Sequence, residues 1–183
     1  MKHRLVFGAV LASGLLCAPG CGDEAGPLDR ETVAALARTR GDAQGTSHTG
    51  NWAVRFEVTS CTCPADTMVC IDPALQEILT GYPRLIEGDG LLVVSAFDSG
   101  LFGATVVPAE LSGPIDADGT FSVGSVGAGF GLLVELLTIA RLDGSFDGDD
   151  AFTGVFAQRI EGTLAEAKLD CTIELQYDAT RTP

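Results

Sequence analysis

The stretch that decides the fold is NWAVRFEV, residues 51–58. From Trp52 to Val58 every second side chain is large and apolar, and the residues between them include Arg55 and Glu57. Side chains on a strand point alternately to opposite faces, so a two-residue period is typical of a strand with one face in a core and the other in water. The stretch therefore predicts a half-buried β-strand.

The same period returns near the end of the chain, where Cys171, Ile173, Leu175 and Tyr177 alternate with polar residues. Between the two stretches, short apolar runs are separated by turn-forming sequences rich in Asp and Gly. This pattern is typical of an antiparallel barrel or sandwich. We predict about eight strands, near residues 51–60, 84–88, 91–97, 101–107, 120–126, 132–146, 151–160 and 171–178.

Two segments need a separate decision. Residues 132–142 fit a helix about as well as a strand. We predict a strand because the turn after it, residues 142–146, repeats the Asp-Gly pattern of residues 115–121. Residues 72–81 predict a short helix after the first strand, because an Asp-Pro pair opens this segment and a glycine ends it.

The first strand also carries a family resemblance. Gly50-Asn51-Trp52 is similar to the Gly-x-Trp signature of lipocalins, and Arg181 lies where their closing arginine covers that tryptophan. The resemblance covers residues 50–183 and implies an all-β domain, a closed antiparallel up-and-down barrel with Trp52 and Arg181 at its closure. An open β-sandwich is the alternative.

A barrel of this kind implies a cup that holds a small apolar ligand or is filled by its own side chains. Six aromatic residues are suited to either role, and we expect a filled core while keeping the ligand cavity as the alternative. These residues are Phe56, Phe97, Phe121, Phe152, Phe156 and Tyr177.

Residues 1–20 have the organisation of an export signal. Lys2 and Arg4 precede an apolar run over residues 5–17, which is shorter than the roughly 20 residues that span a bilayer. The following Ala-Pro-Gly-Cys resembles a bacterial lipobox, which implies acylation of Cys21. The chain also resembles a broad group of bacterial lipoproteins with a Gly-x-Trp opening. We expect it in the cell envelope, lipid-anchored at the outer membrane. If Cys21 is instead an ordinary mature cysteine, we expect a secreted or periplasmic protein.

Residues 21–49 have the composition of a tether between the lipid and residues 50–183. Gly, Asp, Ser and Thr dominate both ends of this segment, which favours solvated chain. Residues 28–39 allow a short helix, but a helix of that length is marginal alone. We therefore predict a flexible spacer with transient structure.

Four further cysteines, Cys61, Cys63, Cys70 and Cys171, predict two disulfides in an exported protein. Of the three possible connectivities we predict Cys61 with Cys171 and Cys63 with Cys70. The first of these bonds requires the terminal strands to be neighbours, as they are in a closed barrel. A thiolate metal site at the first three cysteines is the weaker alternative, because no histidine lies near them.

Charge excludes some partners. The chain carries 25 acidic and 11 basic residues, a net charge of −14, so nucleic acid and anionic headgroups are repelled. Residues 143–149 match the early ligands of an EF-hand calcium loop, but position 154 is glycine where the loop needs glutamate. Hairpin turns explain these acidic residues better, and we predict no metal and no cofactor.

The sequence gives little support for an enzymatic function. His48 is the only histidine after the signal and lies in the predicted tether, and no nucleophile elbow or zinc-protease motif occurs. The first hypothesis is a membrane-anchored binding module for a small apolar ligand or a protein partner. A structural or surface-display lipoprotein with a filled barrel is the alternative. A carboxylate-based hydrolase is a distant third.

Overall fold

The computed structural model describes residues 26–64, 80–81, 83–95, 110–131, 134–164 and 167–183. These ranges hold one helix and nine strands: α1 (Arg30–Leu36), β1 (Gly50–Cys61), β2 (Thr80–Gly81), β3 (Arg84–Gly88), β4 (Leu91–Ser95), β5 (Glu110–Pro114), β6 (Thr120–Gly131), β7 (Val134–Asp147), β8 (Ala151–Leu164) and β9 (Ala167–Arg181). The predicted signal segment (residues 1–20), Cys21, Cys70, Phe97 and the strand predicted at 101–107 lie outside the described residues.

The strands form a closed antiparallel barrel of eight. From β3 to β9 each strand pairs with the next along the chain, and β9 pairs with β1 to close the wall. The two short strands β2 and β3 continue one another, because Thr80 lies opposite Arg55 and Arg84 opposite Asn51 in a single register. They therefore count as one strand of the wall. The predicted barrel is confirmed and the open sandwich is wrong, and the barrel is compatible with a lipocalin-like fold.

Two elements differ from their predictions. The last two residues of the segment predicted as a helix, Thr80 and Gly81, instead form strand β2, which pairs with β1. Residues 72–79 of that segment lie outside the described residues. Strand β5 was not predicted, and two of its five residues, Gly113 and Pro114, are of types depleted in strands. A Cβ on Gly113 would collide with the Ser122 carbonyl oxygen, so this glycine lets β5 and β6 approach. Residues 134–147 form strand β7, as the turn pattern predicted.

A β-bulge in β1 reverses which side chains face the core. Trp52, Val54 and Val58 lie opposite odd-numbered residues of β9, but the register shifts between Val58 and Ser60. After the shift Cys61 lies opposite Ile173, so odd-numbered residues of β1 now face inward. A strict two-residue period cannot show this change.

The bulge corrects the predicted disulfide pairing. Cys63, not Cys61, is bonded to Cys171, with their Cα atoms 4.8 Å apart. Because Thr62 N–H donates to the Thr172 carbonyl, the shifted register carries Cys63 directly opposite Cys171. The pairings of Cys61 with Cys171 and of Cys63 with Cys70 are therefore wrong. Cys61 is also disulfide-bonded, so neither Cys61 nor Cys63 offers a thiolate to a metal.

The segment before the barrel differs from the predicted flexible tether. Helix α1 begins at the N-cap Asp29, whose carboxylate accepts the Thr32 N–H at 2.8 Å, a bond that lowers the pKa of Asp29. Val33 of this helix is fully buried against the outside of β6. A Cβ on Gly124 would lie 2.8 Å from the Val33 side chain, so glycine makes room for the helix.

Residues 41–49, which we call the strap, bind the barrel through their backbone. Gly41 N–H donates to the Gly90 carbonyl at 2.8 Å and Ala43 N–H to the Ile115 carbonyl at 3.2 Å. The Asp42 carboxylate accepts the Ala117 N–H at 2.6 Å, and Ala43 is buried in the core. The strap has the polar composition of solvated chain, yet the backbone N–H groups of Gly41, Asp42 and Ala43 all donate to the barrel. No helical segment in the described parts of the chain has the length and hydropathy of a membrane span.

Candidate functional site

The strap lies at the end of the barrel that contains Trp52, which we call the closed end. Trp52 is fully buried, and its indole N–H donates to the His48 carbonyl at 3.1 Å. Its ring lies 5.3 Å from the ring of Phe152 and 5.6 Å from that of Phe146, both tilted contacts. The only tryptophan of the chain therefore ties the strap to the barrel core.

Arg181 lies beside Trp52, as its Cα partner in the β1–β9 register. Its guanidinium donates to two strap carbonyls, those of Ser47 at 2.9 Å and of Thr49. The structure thus brings together the two residues that the lipocalin resemblance places at the closure. The arginine therefore binds the strap through the N–H donors of its planar guanidinium.

The closed end also holds a buried contact between a histidine and a glutamate that the sequence did not reveal. His48 Nδ1 and the His48 backbone N–H each lie 2.9 Å from Glu87 Oε2. The Glu87 side chain is 3% exposed and that of His48 is 12% exposed. The imidazole stacks on Phe146 with ring centroids 3.7 Å apart. His48 therefore belongs to the packed end of the barrel, not to a free tether.

Glu87 could have been found from the alternation of its strand, because it shares a face with Leu85, which is fully buried. A glutamate on the core face needs a donor, since an unpaired buried carboxylate costs several kcal/mol. The partner could not be found, because His48 lies 39 residues away in a segment without strand pattern.

Geometry assigns this pair a structural role. Ser47 Oγ lies 3.4 Å from His48 Nδ1, the same nitrogen that meets Glu87. A serine nucleophile relay needs the serine and the carboxylate on different ring nitrogens. Because a carboxylate only accepts, Nδ1–H donates to Glu87 and leaves nothing on that atom to accept a serine proton. The pair anchors the strap.

Aromatic rings fill the half of the barrel interior next to the closed end, which we call the closed half. Phe121 lies 5.7 Å from Phe152 in an edge contact, and Phe146 lies 5.1 Å from Phe121 and 5.3 Å from Phe152. Together with Trp52 these rings form one interlocked cluster in the hydrophobic core. This half of the interior is therefore packed by its own side chains, as the filled-core prediction has it.

The other half of the interior is built differently. Strand register defines two rows of inner-face residues across β1, β9, β8, β7 and β6, and we call the inner face of these rows the open half. The first row is Cys61, Ile173, Gln158, Ala140 and Ser125, and the second is Cys63, Cys171, Ile160, Thr138 and Gly127.

Several inner-face side chains around the open half keep contact with solvent. Phe56, Val58 and Cys61 pack against the core but are only partly buried, although they face inward. Ser125 and Gly127, across the barrel on β6, are also partly exposed. On the same face of β1, Trp52 and Val54 are fully buried. Within the two rows the partial exposure is confined to the β1 and β6 sides, at Cys61, Ser125 and Gly127, and the other seven residues are buried.

The aromatic residues between the two halves form a floor. Phe56 lies 5.8 Å from the ring of Tyr177, which lies 5.9 Å from that of Phe156. Burial raises the pKa of the Tyr177 phenol above its ordinary value, so this hydroxyl stays neutral. The open half thus has an aromatic floor and small side chains on the β6 side.

The candidate calcium residues do not form a metal site. Asp143 lies in β7, where its carboxylate pairs with the Arg141 guanidinium at 2.8 Å and accepts from the Ser122 hydroxyl. Asp147 ends β7, and the acidic residues after it form the turn to β8. Within the described ranges, no group of three metal-ligating side chains converges.

A hollow of about 650 Å³ lies elsewhere, on the outside of the wall. Its rim includes Arg55 and Asp178, which lie opposite one another between β1 and β9, and small residues such as Ala53 and Thr180. Its lining also includes the core positions Val54, Phe152 and Ala179, so the hollow lies against the part of the wall that surrounds the aromatic cluster.

The chain matches no known family model and no curated protein sequence. A fold alone does not fix an activity, so the function is inferred from the chemistry of the barrel.

Proposed function

We propose that this protein is a membrane-anchored binding module whose barrel holds a small apolar ligand in the open half. One observation carries the proposal: inward-facing Phe56 and Val58 stay partly exposed on a strand whose preceding core residues are fully buried. An apolar side chain inside a barrel is stabilised by about 25 cal/mol for each Å² removed from water. A ligand over these residues would gain that contribution.

The dimensions of the barrel suit this role. An eight-stranded barrel has an interior wide enough for its own side chains or for one small ligand. In this chain the aromatic cluster occupies the closed half, so a ligand has the open half alone.

The anchor is the second part of the proposal. Acylated Cys21 would hold the protein in the cell envelope, at the outer membrane. Helix α1 is docked on the barrel from residue 30, so the free spacer is short. An extended residue spans at most about 3.6 Å, so residues 22–29 place the barrel within about 30 Å of the bilayer surface.

A surface-display lipoprotein without a ligand is the alternative function, and the packed aromatic cluster of the closed half favours it. The two candidates differ in the open half. A display protein needs no accessible interior, whereas a carrier loses affinity when that interior is filled.

We expect the exported chain with Cys21→Ser to bind N-phenyl-1-naphthylamine, a neutral apolar dye, with enhanced dye fluorescence. Val58→Phe should weaken this binding about tenfold or more, because the added ring occupies the open half. Val155→Phe is the matched control, since Val155 is 43% exposed on the outer face of β8. Absence of dye binding, or equal loss in both variants, would favour the display function.

The anchor has its own test. Cys21→Ser should abolish incorporation of radiolabelled fatty acid and release the protein from the membrane fraction. Cys17→Ser should leave labelling unchanged, because the bulky Leu16 precedes Cys17 and does not suit a lipobox. Labelling that persists in Cys21→Ser would contradict the lipoprotein assignment.

A further inference from the structure

The register gives the open half a uniform chemical character. Every side chain in its two rows is uncharged, and its buried polar members, Gln158 and Thr138, are neutral hydrogen-bonding groups that are 2% and 3% exposed. Thr138 Oγ1 donates to the Gly127 carbonyl at 3.3 Å. The wall that a ligand meets is therefore apolar with a few neutral dipoles.

Charges on the same strands lie on the opposite face. Arg159, next to Gln158, points outward and lies 3.1 Å from the Asp170 carboxylate and 3.0 Å from that of Glu161. The side-chain hydrogen bond with Asp170 raises the pKa of Arg159. These cations and anions satisfy one another outside the barrel, where they cannot reach a ligand in the open half.

We propose that the open half selects uncharged apolar molecules and rejects their anionic counterparts, including fatty-acid anions. This inference rests on the proposed function. A carboxylate or sulfonate that enters the open half loses its water and meets no counter-charge among the residues of the two rows, which costs several kcal/mol. The net charge of −14 adds long-range repulsion of anions.

Two dyes of one skeleton test the selection. N-phenyl-1-naphthylamine is neutral, and 1-anilinonaphthalene-8-sulfonate is the same molecule with one sulfonate added. We expect the Cys21→Ser chain to bind the neutral dye about tenfold or more tightly than the sulfonate. Equal affinities would overturn the inference and leave the proposed function standing. Binding of neither dye would overturn the proposed function itself.

Lysine substitutions distinguish the effect of a cation inside the open half from the effect of a change in the net charge of the protein. Val58→Lys places a cation at the edge of the open half and should raise affinity for the sulfonate about tenfold. Val155→Lys adds the same charge to the outer face and should change it much less. Ser125→Lys, on the opposite wall, repeats the test if Val58→Lys does not fold. An equal gain in the outer variant, or no gain in either inner variant, would overturn the inference.

Discussion

Replacement of Trp52 by alanine should lower the free energy of unfolding by about 3 to 5 kcal/mol. The indole is fully buried between the rings of Phe146 and Phe152, so its removal leaves a cavity that the surrounding β-strands cannot collapse to fill. The substitution also removes the donor to the His48 carbonyl, which loosens the strap. Chemical denaturation followed by far-ultraviolet circular dichroism measures the change without relying on tryptophan fluorescence.

Ile86→Ala is the matched control for this measurement. Ile86 is a large apolar side chain on strand β3, but it is 45% exposed, so its truncation should cost less than about 1 kcal/mol. A loss at Trp52 no larger than the loss at Ile86 would show that the closed end does not stabilise the fold.

The sequence predicted those strands that have one face buried and the other exposed to solvent. Residues 51–58 and 171–177 alternate cleanly, and both form long strands that pair with each other to close the barrel. Strand β5 could not be predicted from the sequence. Its Gly113 is required because a Cβ there would collide with β6, and this contact exists only in the folded barrel. Local propensity cannot record a contact of that kind.

The N-terminal segment shows the same limit. The strap has the polar composition of solvated chain, but several of its backbone groups form hydrogen bonds with the barrel and Ala43 is buried. Each of those bonds depends on a carbonyl or carboxylate far away in sequence, such as the Gly90 and Ile115 carbonyls. Composition indicates whether a segment can form a hydrophobic core of its own, but not whether it packs against the core of another part of the chain.

For the candidate site, the sequence predicted part of the closed end and little of the open half. Trp52 and Arg181 followed from the Gly-x-Trp resemblance, and the structure places them together. The His48–Glu87 pair was missed because its two members lie in unrelated segments. The partial exposure of Phe56 and Val58 was also beyond prediction, since alternation tells which face a residue occupies but not how deeply it lies.

The last prediction concerns the disulfide that joins the terminal strands. Cys63 and Cys171 are 108 residues apart, so their bond removes a long loop from the unfolded ensemble. In the chain-entropy treatment a loop of that length stabilises the native state by about 4 to 5 kcal/mol, and measured losses run from about 2 to 5 kcal/mol. The double variant Cys63→Ala, Cys171→Ala should lose that much stability in denaturant titration, with no thiol left at either site to exchange.

Pairing must be measured together with stability, because one residue separates Cys61 from Cys63 and ordinary proteolysis leaves both in one peptide. Tandem mass spectrometry of the non-reduced peptide, with backbone cleavage at Thr62, should leave the Cys171 fragment attached to the Cys63 side. Attachment to the Cys61 side would mean that Cys61 lies opposite Cys171, a register two residues away from the observed one, in which Cys61 lies opposite Ile173. In that register Thr59 would lie opposite Ile173, so the rows that define the open half would begin two residues earlier on β1.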